Sequence, residues 1–273
     1  LYKKITVNCI FYIIYYYFLR HSKLTVSSSE TTTPILKRQF MKAKTVLITG
    51  ISRGIGKELA SAFSKNGWNI CGCYKNNRPD YTVPNSKFTK ADISKHDEVK
   101  ELIKSSIGKF GKIDCIINNA AVAERATIFR ITDEMWESVI KTNLNGTFYI
   151  IKEALRAMIK QRSGSIINIA SISAFKSYVG TSVYSASKSG VISLTKTAAR
   201  EAGRFGITVN AVLPGFHFTN MGDNAGSAYI EEVKRKSVLN VTTDIKELAD
   251  FIFFLAGVKT VSGQIFNFDS RIV

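Results

Sequence analysis

The stretch Lys44–Gly56, KTVLITGISRGIG, decides the fold of this chain. It begins with a short run of apolar and β-branched residues, which is typical of a buried parallel strand. Glycines follow at positions 50, 54 and 56, and the residues from Gly54 to Asn66 then have helical spacing. A glycine turn between a strand and a helix lets a pyrophosphate approach the backbone and the N–H groups of the helix start. The order predicts a phosphate-binding turn, although a tight glycine turn without a ligand has the same pattern.

Strands and helices alternate along the rest of the chain. The predicted strands are 44–49, 69–74, 87–91, 113–118, 165–170, 208–213 and 264–268. The predicted helices are 54–66, 97–110, 132–161 with an interruption near Asn143, 183–203 and 245–256. This alternation is typical of βαβ units. It predicts an α/β fold in which residues 41–273 form a single domain, a doubly wound parallel seven-stranded sheet with helices on both faces.

Length and composition agree with one such domain. The chain has 273 residues, of which 45% are hydrophobic and 22% charged, and a chain of this size buries a large core without disulfides. Its cysteines, Cys9, Cys71, Cys73 and Cys115, include no Cys-x-x-Cys pair, and its three histidines are scattered. We therefore expect buried reduced thiols and no metal site. Cys71 and Cys73, two residues apart on a strand, would share one face.

The formal net charge is +17, and a basic surface favours anionic partners. The lysines are spread over many segments rather than gathered in one run. We interpret them mainly as solvated surface charge, with a preference for anionic substrates as the alternative, and we expect no nucleic-acid partner.

Residues 1–40 differ from the remainder. The run Cys9–Leu19, CIFYIIYYYFL, is apolar and aromatic, but it is shorter than the roughly 20 residues that span a bilayer. A Ser/Thr stretch at 27–33 is typical of a linker, and Met41 precedes the first predicted strand. We interpret residues 1–40 as a poorly ordered upstream extension, with a membrane or organelle leader as the alternative. The expected location is cytoplasmic; the alternative is organelle targeting or membrane association through residues 1–40.

Tyr184 and Lys188 are four residues apart in the predicted helix 183–203, so they lie on one helix face. A phenol has an ordinary pKa of about 10, and a neighbouring ammonium group lowers that pKa by favouring the phenolate. The pair predicts an acid–base site, although Tyr-x-x-x-Lys also marks many ordinary helix faces. Ser171 follows the fifth predicted strand, where ligands bind in open α/β sheets, and Ser173 is the alternative hydroxyl.

The spacing G-x-x-x-G-x-G of the glycine turn resembles that of the short-chain dehydrogenase/reductase family, which has a Rossmann fold. The resemblance covers residues 42–273 and includes Asp92, the segment 118–120 and the pair Pro214–Gly215. Within the family, Thr49–Gly56 and Val209–Gly215 are similar to bacterial 3-oxoacyl-(acyl-carrier-protein) reductases.

The resemblance implies four catalytic residues: Asn143, Ser171, Tyr184 and Lys188. Ser171 and Tyr184 would polarise a carbonyl oxygen, and Tyr184 would donate the proton. Lys188 would bind the nicotinamide ribose and tune Tyr184, and Asn143 would hold a water that relays protons to Lys188.

The resemblance also implies a set of cofactor-binding residues. They are Gly50, Ser52, Gly54, Ile55, Gly56, Asp92, Ile93, Asn119, Ala120, Tyr184, Lys188, Pro214, Gly215 and Thr219. Asp92 and Ile93 would touch the adenine, Asn119 would stabilise the central strand, and Thr219 would reach the carboxamide side. One departure is Ala121, where the family usually has glycine, and its methyl group would slightly crowd the nicotinamide ribose.

The residues at the end of the second predicted strand bear on the choice of nucleotide. A carboxylate there accepts hydrogen bonds from the ribose 2′-OH and repels a 2′-phosphate. Here the position is Tyr74, followed by Lys75, and Arg53 lies in the glycine turn; the next carboxylate along the chain is Asp80. Two cations and no carboxylate predict NADP(H), with Arg53 and Lys75 as further cofactor-binding residues. The alternative is that both cations are ordinary solvated charges.

The resemblance implies NADPH-dependent reduction of a carbonyl to a secondary alcohol. The expected substrate is a 3-oxoacyl thioester on an acyl carrier protein, or a small molecule. Phe216–Leu239 would cover it: Gly222, Asn224 and Gly226 predict a mobile lid, and a basic helix follows with Lys234, Arg235 and Lys236. The alternatives are a short-chain alcohol, sugar or steroid dehydrogenase, and a catalytically silent NADP-binding regulatory protein.

The resemblance further implies a homo-oligomer, either a tetramer or a dimer. Its subunits would pair through the predicted helices 132–161 and 183–203. Small residues such as Ala186, Ala198 and Ala199 would permit close packing there.

Overall fold

The computed structural model describes residues 43–176, 178–217 and 227–271. Residues 1–40, Thr219 and the predicted lid glycines Gly222 and Gly226, with Asn224 between them, lie outside the described residues.

One sheet contains all seven strands. They are β1 Thr45–Thr49, β2 Asn69–Tyr74, β3 Ser86–Lys90, β4 Cys115–Asn118, β5 Gly164–Ile169, β6 Ile207–Leu213 and β7 Ile265–Asn267. Every pair of neighbours is parallel, and the order is β3-β2-β1-β4-β5-β6-β7. The predicted fold class is confirmed. The strand order reverses between β1 and β4, and ligands of doubly wound sheets bind at that point, beyond the carboxyl ends of the strands.

The helices cover both faces of the sheet. They are α1 Gly54–Lys65, α2 His96–Phe110, α3 Asp133–Val139, α4 Gly146–Gln161, α5 Ser182–Ala202, α6 Ser227–Lys236 and α7 Ile245–Gly257. Successive side chains of a strand point to opposite faces. Val46 and Ile48 accordingly pack with α1 and α7 in one core, whereas Leu47 packs with α2, α4 and α5 in the other.

Three of the cysteines lie within these cores. Cys71 and Cys73 share one face of β2, as predicted, and Cys115 lies in the opposite core. All three are free and buried. Burial raises the pKa of the Cys73 and Cys115 thiols to about 12 each, so both stay protonated at neutral pH.

The long helix predicted at 132–161 is interrupted where expected. Between α3 and α4, residues Ile140–Asn145 form a π-helical segment. Such segments are rare and concentrate at functional sites. This one contains Asn143, which is completely buried.

A row of buried polar side chains fixes α5 on the sheet. The Asn118 amide donates to Asn168 Oδ1 at 2.8 Å, and the Asn168 amide donates to Thr195 Oγ1 at 2.8 Å. The row therefore runs from β4 through β5 to α5, the helix that carries Tyr184 and Lys188.

The interior position of α5 corrects one expectation. Ala198 and Ala199 are not available for packing between subunits, because both are buried in the core beneath α5. Ala186 is exposed. Among the described residues, no helix is both long and apolar enough to cross a membrane.

Candidate active site

A cleft of about 330 Å³ opens at the carboxyl edge of the sheet, next to the point where the strand order reverses. It brings together most of the predicted site residues. Those that line it are Gly50, Ser52, Arg53, Gly54, Ile55, Lys75, Asp92, Ile93, Asn119, Ala120, Tyr184, Lys188 and Pro214. Gly56, Asn143, Ser171 and Gly215 lie behind or beside this lining rather than in it.

The glycine turn forms one wall of the cleft. Gly50 and Gly54 have φ values of +69° and +56°, which favour glycine. At Gly56, a Cβ atom would lie 2.2 Å from the Gly50 carbonyl oxygen, so the turn closes only without a side chain there. Arg53 precedes α1, and its side chain does not cap the helix. The N–H groups of the first turn of α1 therefore remain available to an anion in the cleft.

Asn119 joins the ends of β1 and β4 beneath this turn. Its side-chain amide donates to the carbonyl oxygens of Thr49 and Gly50 at 2.9 and 3.0 Å. The backbone N–H groups of Asn119 and Ala120 both donate to Thr49 Oγ1 at 3.0 Å. These four hydrogen bonds fix the distance between the glycine turn and the residues at the end of β4, Asn119 and Ala120, which line the cleft.

The β2–β3 loop is attached to the same turn. Ser52 Oγ donates to the carbonyl oxygen of Asn77 at 2.5 Å, and the Tyr81 hydroxyl donates to that of Ile51 at 2.7 Å. Asn76 and Asn77 thereby line the cleft. Sequence reasoning missed both, because nothing in the pattern of residues 75–85 shows that this loop folds back onto the turn.

Lys75 has a carboxylate beside it. Its ammonium group lies 2.8 Å from Asp92 Oδ2, and Asp92 Oδ1 accepts hydrogen bonds from Ser94. Partial burial would raise the pKa of Asp92, but the hydrogen bonds from Lys75 and Ser94 outweigh it and hold the pKa below its ordinary value. Along the chain the next carboxylate after Lys75 is Asp80, but β3 runs beside β2, and its end brings Asp92 to Lys75.

Tyr184 and Lys188 approach the other end of the cleft from α5. Lys188 is only 3% exposed. Its Nζ donates to the carbonyl oxygen of Ile169 at 2.7 Å. The same Nζ lies 5.7 Å from the centre of the Tyr184 ring. Burial lowers the pKa of Lys188 to about 8.

The pKa of Tyr184 departs from the expectation. Burial raises it, and a hydrogen bond with Ser171 offsets only part of that effect. The predicted lowering by Lys188 is wrong for this structure, because the ammonium group points to Ile169 rather than to the phenol oxygen. At neutral pH Tyr184 is therefore a protonated acid.

Asn143 is held by the backbone of Val122. Its side chain accepts from the Val122 N–H and donates to the Val122 carbonyl oxygen, both at 2.9 Å, and its amide also reaches Ser187 Oγ at 3.2 Å. These contacts tie the π-helical segment to the cleft wall and to α5. The relay of protons through Asn143 stays a prediction.

Sequence reasoning also missed His217. It lines the same cleft as Tyr184 and Lys188, although the sequence shows it only as one of three scattered histidines. The available signal was its place two residues after the Pro214–Gly215 pair. Over the described ranges, no group of three or more His, Cys, Asp or Glu side chains is placed to hold a metal ion.

Residues 44–230 match the family model for short chain dehydrogenases. The chain belongs to the short-chain dehydrogenase family. Its curated relatives include two enzymes named 3-oxoacyl-(acyl-carrier-protein) reductase. That of Staphylococcus epidermidis is 36% identical over 232 residues, which cover 81% of this chain and 95% of the relative. That of Synechocystis sp. is 36% identical over 245 residues, which cover 85% and 98%.

Two similar solved structures carry a nicotinamide nucleotide. The structure of ElxO with NADP bound has a TM-score of 0.78 and 29% identity, and the match covers 84% of this chain and 98% of that one. A variant of actinorhodin polyketide ketoreductase with NADPH has a TM-score of 0.78 and 28% identity, and the match covers 84% and 96%.

As a short-chain dehydrogenase, this chain is an oxidoreductase, and its cleft has the parts that such chemistry needs. One end offers backbone N–H groups and cations for phosphates. The other offers a protonated phenol, a group that can act as a general acid, and an ammonium group on the same helix.

Proposed function

We propose that this chain uses NADPH to reduce a carbonyl group to a secondary alcohol, and that its substrate is a 3-oxoacyl thioester carried by an acyl carrier protein. One observation carries the proposal. A single cleft holds an uncapped helix start with Arg53 at one end, and Tyr184 with Lys188 at the other.

The cleft fits a nicotinamide dinucleotide. Gly50 has no side chain, and this leaves room for a pyrophosphate in the glycine turn. A Cβ atom at this position would fill that room and would lie 2.8 Å from the Cα atom of Ala120. Gly54 and Ile55 would contribute N–H groups, and Arg53 would bind a 2′-phosphate. When bound, NADPH supplies the hydride that the carbonyl carbon accepts.

The protein's own side chains handle the proton. Tyr184 donates its hydrogen to the carbonyl oxygen as a general acid, and Ser171 holds that oxygen with its hydroxyl group. Lys188 binds the ribose and stands beside the phenolate that forms. Asn143 completes the path by which Tyr184 regains a proton from solvent.

The substrate assignment is supported by the relatives and by the charge of α6. The curated relatives named above are 3-oxoacyl-(acyl-carrier-protein) reductases, and carrier proteins of this kind are acidic. At the end of α6, Lys234 and Lys236 already pair with Glu231 and Glu232. No ion pair is found for Arg235 among the described residues, so Arg235 would contribute most to binding an acidic carrier.

A substrate panel tests the proposal. Acetoacetyl thioesters on a carrier protein and on coenzyme A, simple ketones and keto sugars are each assayed with NADPH and with NADH. We expect the highest kcat/KM for the carrier-bound thioester with NADPH. A preference for a ketone or a sugar would contradict the substrate assignment. Binding of NADPH without turnover of any substrate would indicate a regulatory protein rather than an enzyme.

We also propose a homo-oligomer, a dimer or a tetramer, paired through α3–α4 and α5. Large apolar side chains are exposed on these helices, at Trp136 and Phe148, where burial against a second copy would stabilise the pair. Light scattering at micromolar concentration measures the mass, and a monomer would contradict the proposal.

A further inference from the structure

His217 is a titratable side chain that lines the cleft and has no part in the proposed reaction. It lies in the segment that follows β6 and is partly buried. Arg53 and Lys75 stand at the ends of β1 and β2, whereas β6 lies beyond β4 and β5 in the sheet. His217 therefore belongs to the end of the cleft where Tyr184 and Lys188 lie, away from the phosphate-binding end.

The hydrogen bonding of His217 defines its tautomer. Nδ1 is 3.0 Å from the carbonyl oxygen of Gly215. Because a carbonyl oxygen can only accept, Nδ1 carries a hydrogen in both the neutral and the charged ring. Protonation therefore takes place at Nε2, which has no hydrogen-bond partner among the described residues. Gly215 has a φ of +74°, and its carbonyl oxygen accepts the hydrogen bond from Nδ1 of His217.

The ring is neutral at neutral pH. Burial lowers the pKa of His217, and the hydrogen bond to Gly215 opposes that effect only in part. The charged form is therefore populated only in acid.

Few other groups at this end of the cleft change charge in the same range. Of the described residues that line it, Tyr184 stays protonated, and Lys188, with a pKa of about 8, stays charged in acid. The ends of β4 and β5 contribute only uncharged residues there. Behind Gly215, the Asp269 carboxylate is bound by Arg271 at 2.5 Å. Among the described residues at this end of the cleft, His217 is therefore the group whose charge changes between neutral and mildly acidic pH.

We propose that His217 makes the enzyme discriminate between the two redox states of its cofactor, so that acid weakens the binding of NADP⁺ and spares that of NADPH. The inference rests on the proposed function. The nicotinamide ring is positively charged in NADP⁺ and neutral in NADPH, while the rest of the molecule is the same. A protonated His217 repels only the charged ring, and a neutral His217 repels neither. In acid, His217 thus favours release of the oxidised cofactor after a carbonyl has been reduced.

Calorimetric titration of the full chain with each cofactor tests this without turnover. The readout is the ratio of the Kd for NADP⁺ to the Kd for NADPH, measured from about pH 7, where Lys188 is already charged, to about pH 5, because burial lowers the pKa of His217. The 2′-phosphate also titrates at about pH 6. Because both cofactors contain it, its effect on binding cancels in the ratio. In the wild type we expect the ratio to rise roughly tenfold towards acid, as two like charges within a protein cleft would produce.

Two variants isolate the histidine. His217→Gln keeps a polar side chain that cannot gain a charge, and its ratio should stay constant with pH. His96→Gln removes a histidine that lies on α2 and pairs with Glu153, outside the cleft lining, and its ratio should rise as in the wild type. Binding of NADPH at about pH 7 shows that each variant is folded.

Three results would overturn the inference. A ratio that stays constant in the wild type, or an equal rise in His217→Gln, rejects the role of His217 and leaves the proposed function intact if NADPH still binds. Failure of the wild type to bind either cofactor rejects the proposed function, and the inference with it.

Discussion

The two ends of the cleft are built in different ways. At the β5–β6 end, Tyr184 and Lys188 stand on a 21-residue helix that is packed on the sheet, and Lys188 is almost wholly buried. At the β1–β2 end, Arg53 and Lys75 come from turns, and the Lys75 side chain is 56% exposed. Buried groups act on one neighbouring atom in a fixed geometry, whereas exposed cations act through charge that water and salt screen. Changes at the first end should therefore abolish the reaction, and changes at the second should alter the choice of nucleotide.

The largest effect is expected from Tyr184→Phe. The variant keeps the ring and removes only the acidic hydrogen, so turnover should fall by about 10²–10⁴-fold, while the Kd for NADPH stays nearly unchanged. Steady-state kinetics and cofactor titration measure the two quantities. Tyr149→Phe, on α4 and stacked against His96, is the matched control and should keep its activity. Retention of more than about a tenth of the wild-type activity by Tyr184→Phe would remove Tyr184 from the chemistry.

Arg53→Ala should act on binding alone. Loss of a charge-assisted hydrogen bond of about 1.5–3 kcal/mol should weaken NADPH roughly ten- to hundredfold, and NADH, which has no 2′-phosphate, should bind as before. Arg204→Ala, at an exposed arginine beside Phe205, serves as the control. Equal weakening of both nucleotides would show that Arg53 does not recognise the phosphate.

Tyr74→Asp should shift the preference towards NADH. A carboxylate at the end of β2 can accept from the ribose 2′-OH and repels a 2′-phosphate, so the ratio of the two Kd values should move roughly tenfold. Tyr74→Asn has the same size without the charge and should move it much less. If both variants behave alike, the tyrosine ring, rather than the charge at this position, sets the preference.

The smallest effect is expected from Lys75→Ala. Its ammonium group is exposed and already held by Asp92, so the loss of NADPH affinity should be only about two- to fivefold. Lys100→Ala, which removes a similar exposed ion pair on α2, is the control and should have no effect. A loss as large as that of Arg53→Ala would mean that Lys75 leaves Asp92 for the phosphate when NADPH binds, and the contrast between the two cations would disappear.

The fold could be predicted from the sequence because its signals are local. The apolar runs that form β1 and β2 and the helical spacing after Gly54 are patterns of neighbouring residues, and the observed elements begin and end close to the predicted positions. The interruption at Asn143 was predictable for the same reason. The bonds from its side chain to Val122 were not, because they join segments 21 residues apart.

The site could be predicted only where a residue's role depends on its own segment. The pairing of Lys75 with Asp92 depends on which strands are neighbours, and the direction of Lys188 depends on where the Ile169 carbonyl points. Both concern the approach of separate segments, and both changed the electrostatics expected from spacing alone. His217 was missed for that reason too, since its place in the cleft depends on how the segment after β6 folds back.

The π-helical segment Ile140–Asn145 also fixes the length of the chain between α3 and α4. A π-helical turn contains one residue more than an α-helical turn, so deletion of a single residue there would let one uninterrupted α-helix form. The wide turn takes up its extra residue without changing which face of α4 lies on the sheet, whereas a residue added to a regular α-helix would turn the chain by about 100°. Deletion would therefore leave the apolar face of α4 on the sheet but remove the turn that directs Asn143 to Val122. This stretch should therefore accept substitutions at its exposed positions but no insertion or deletion.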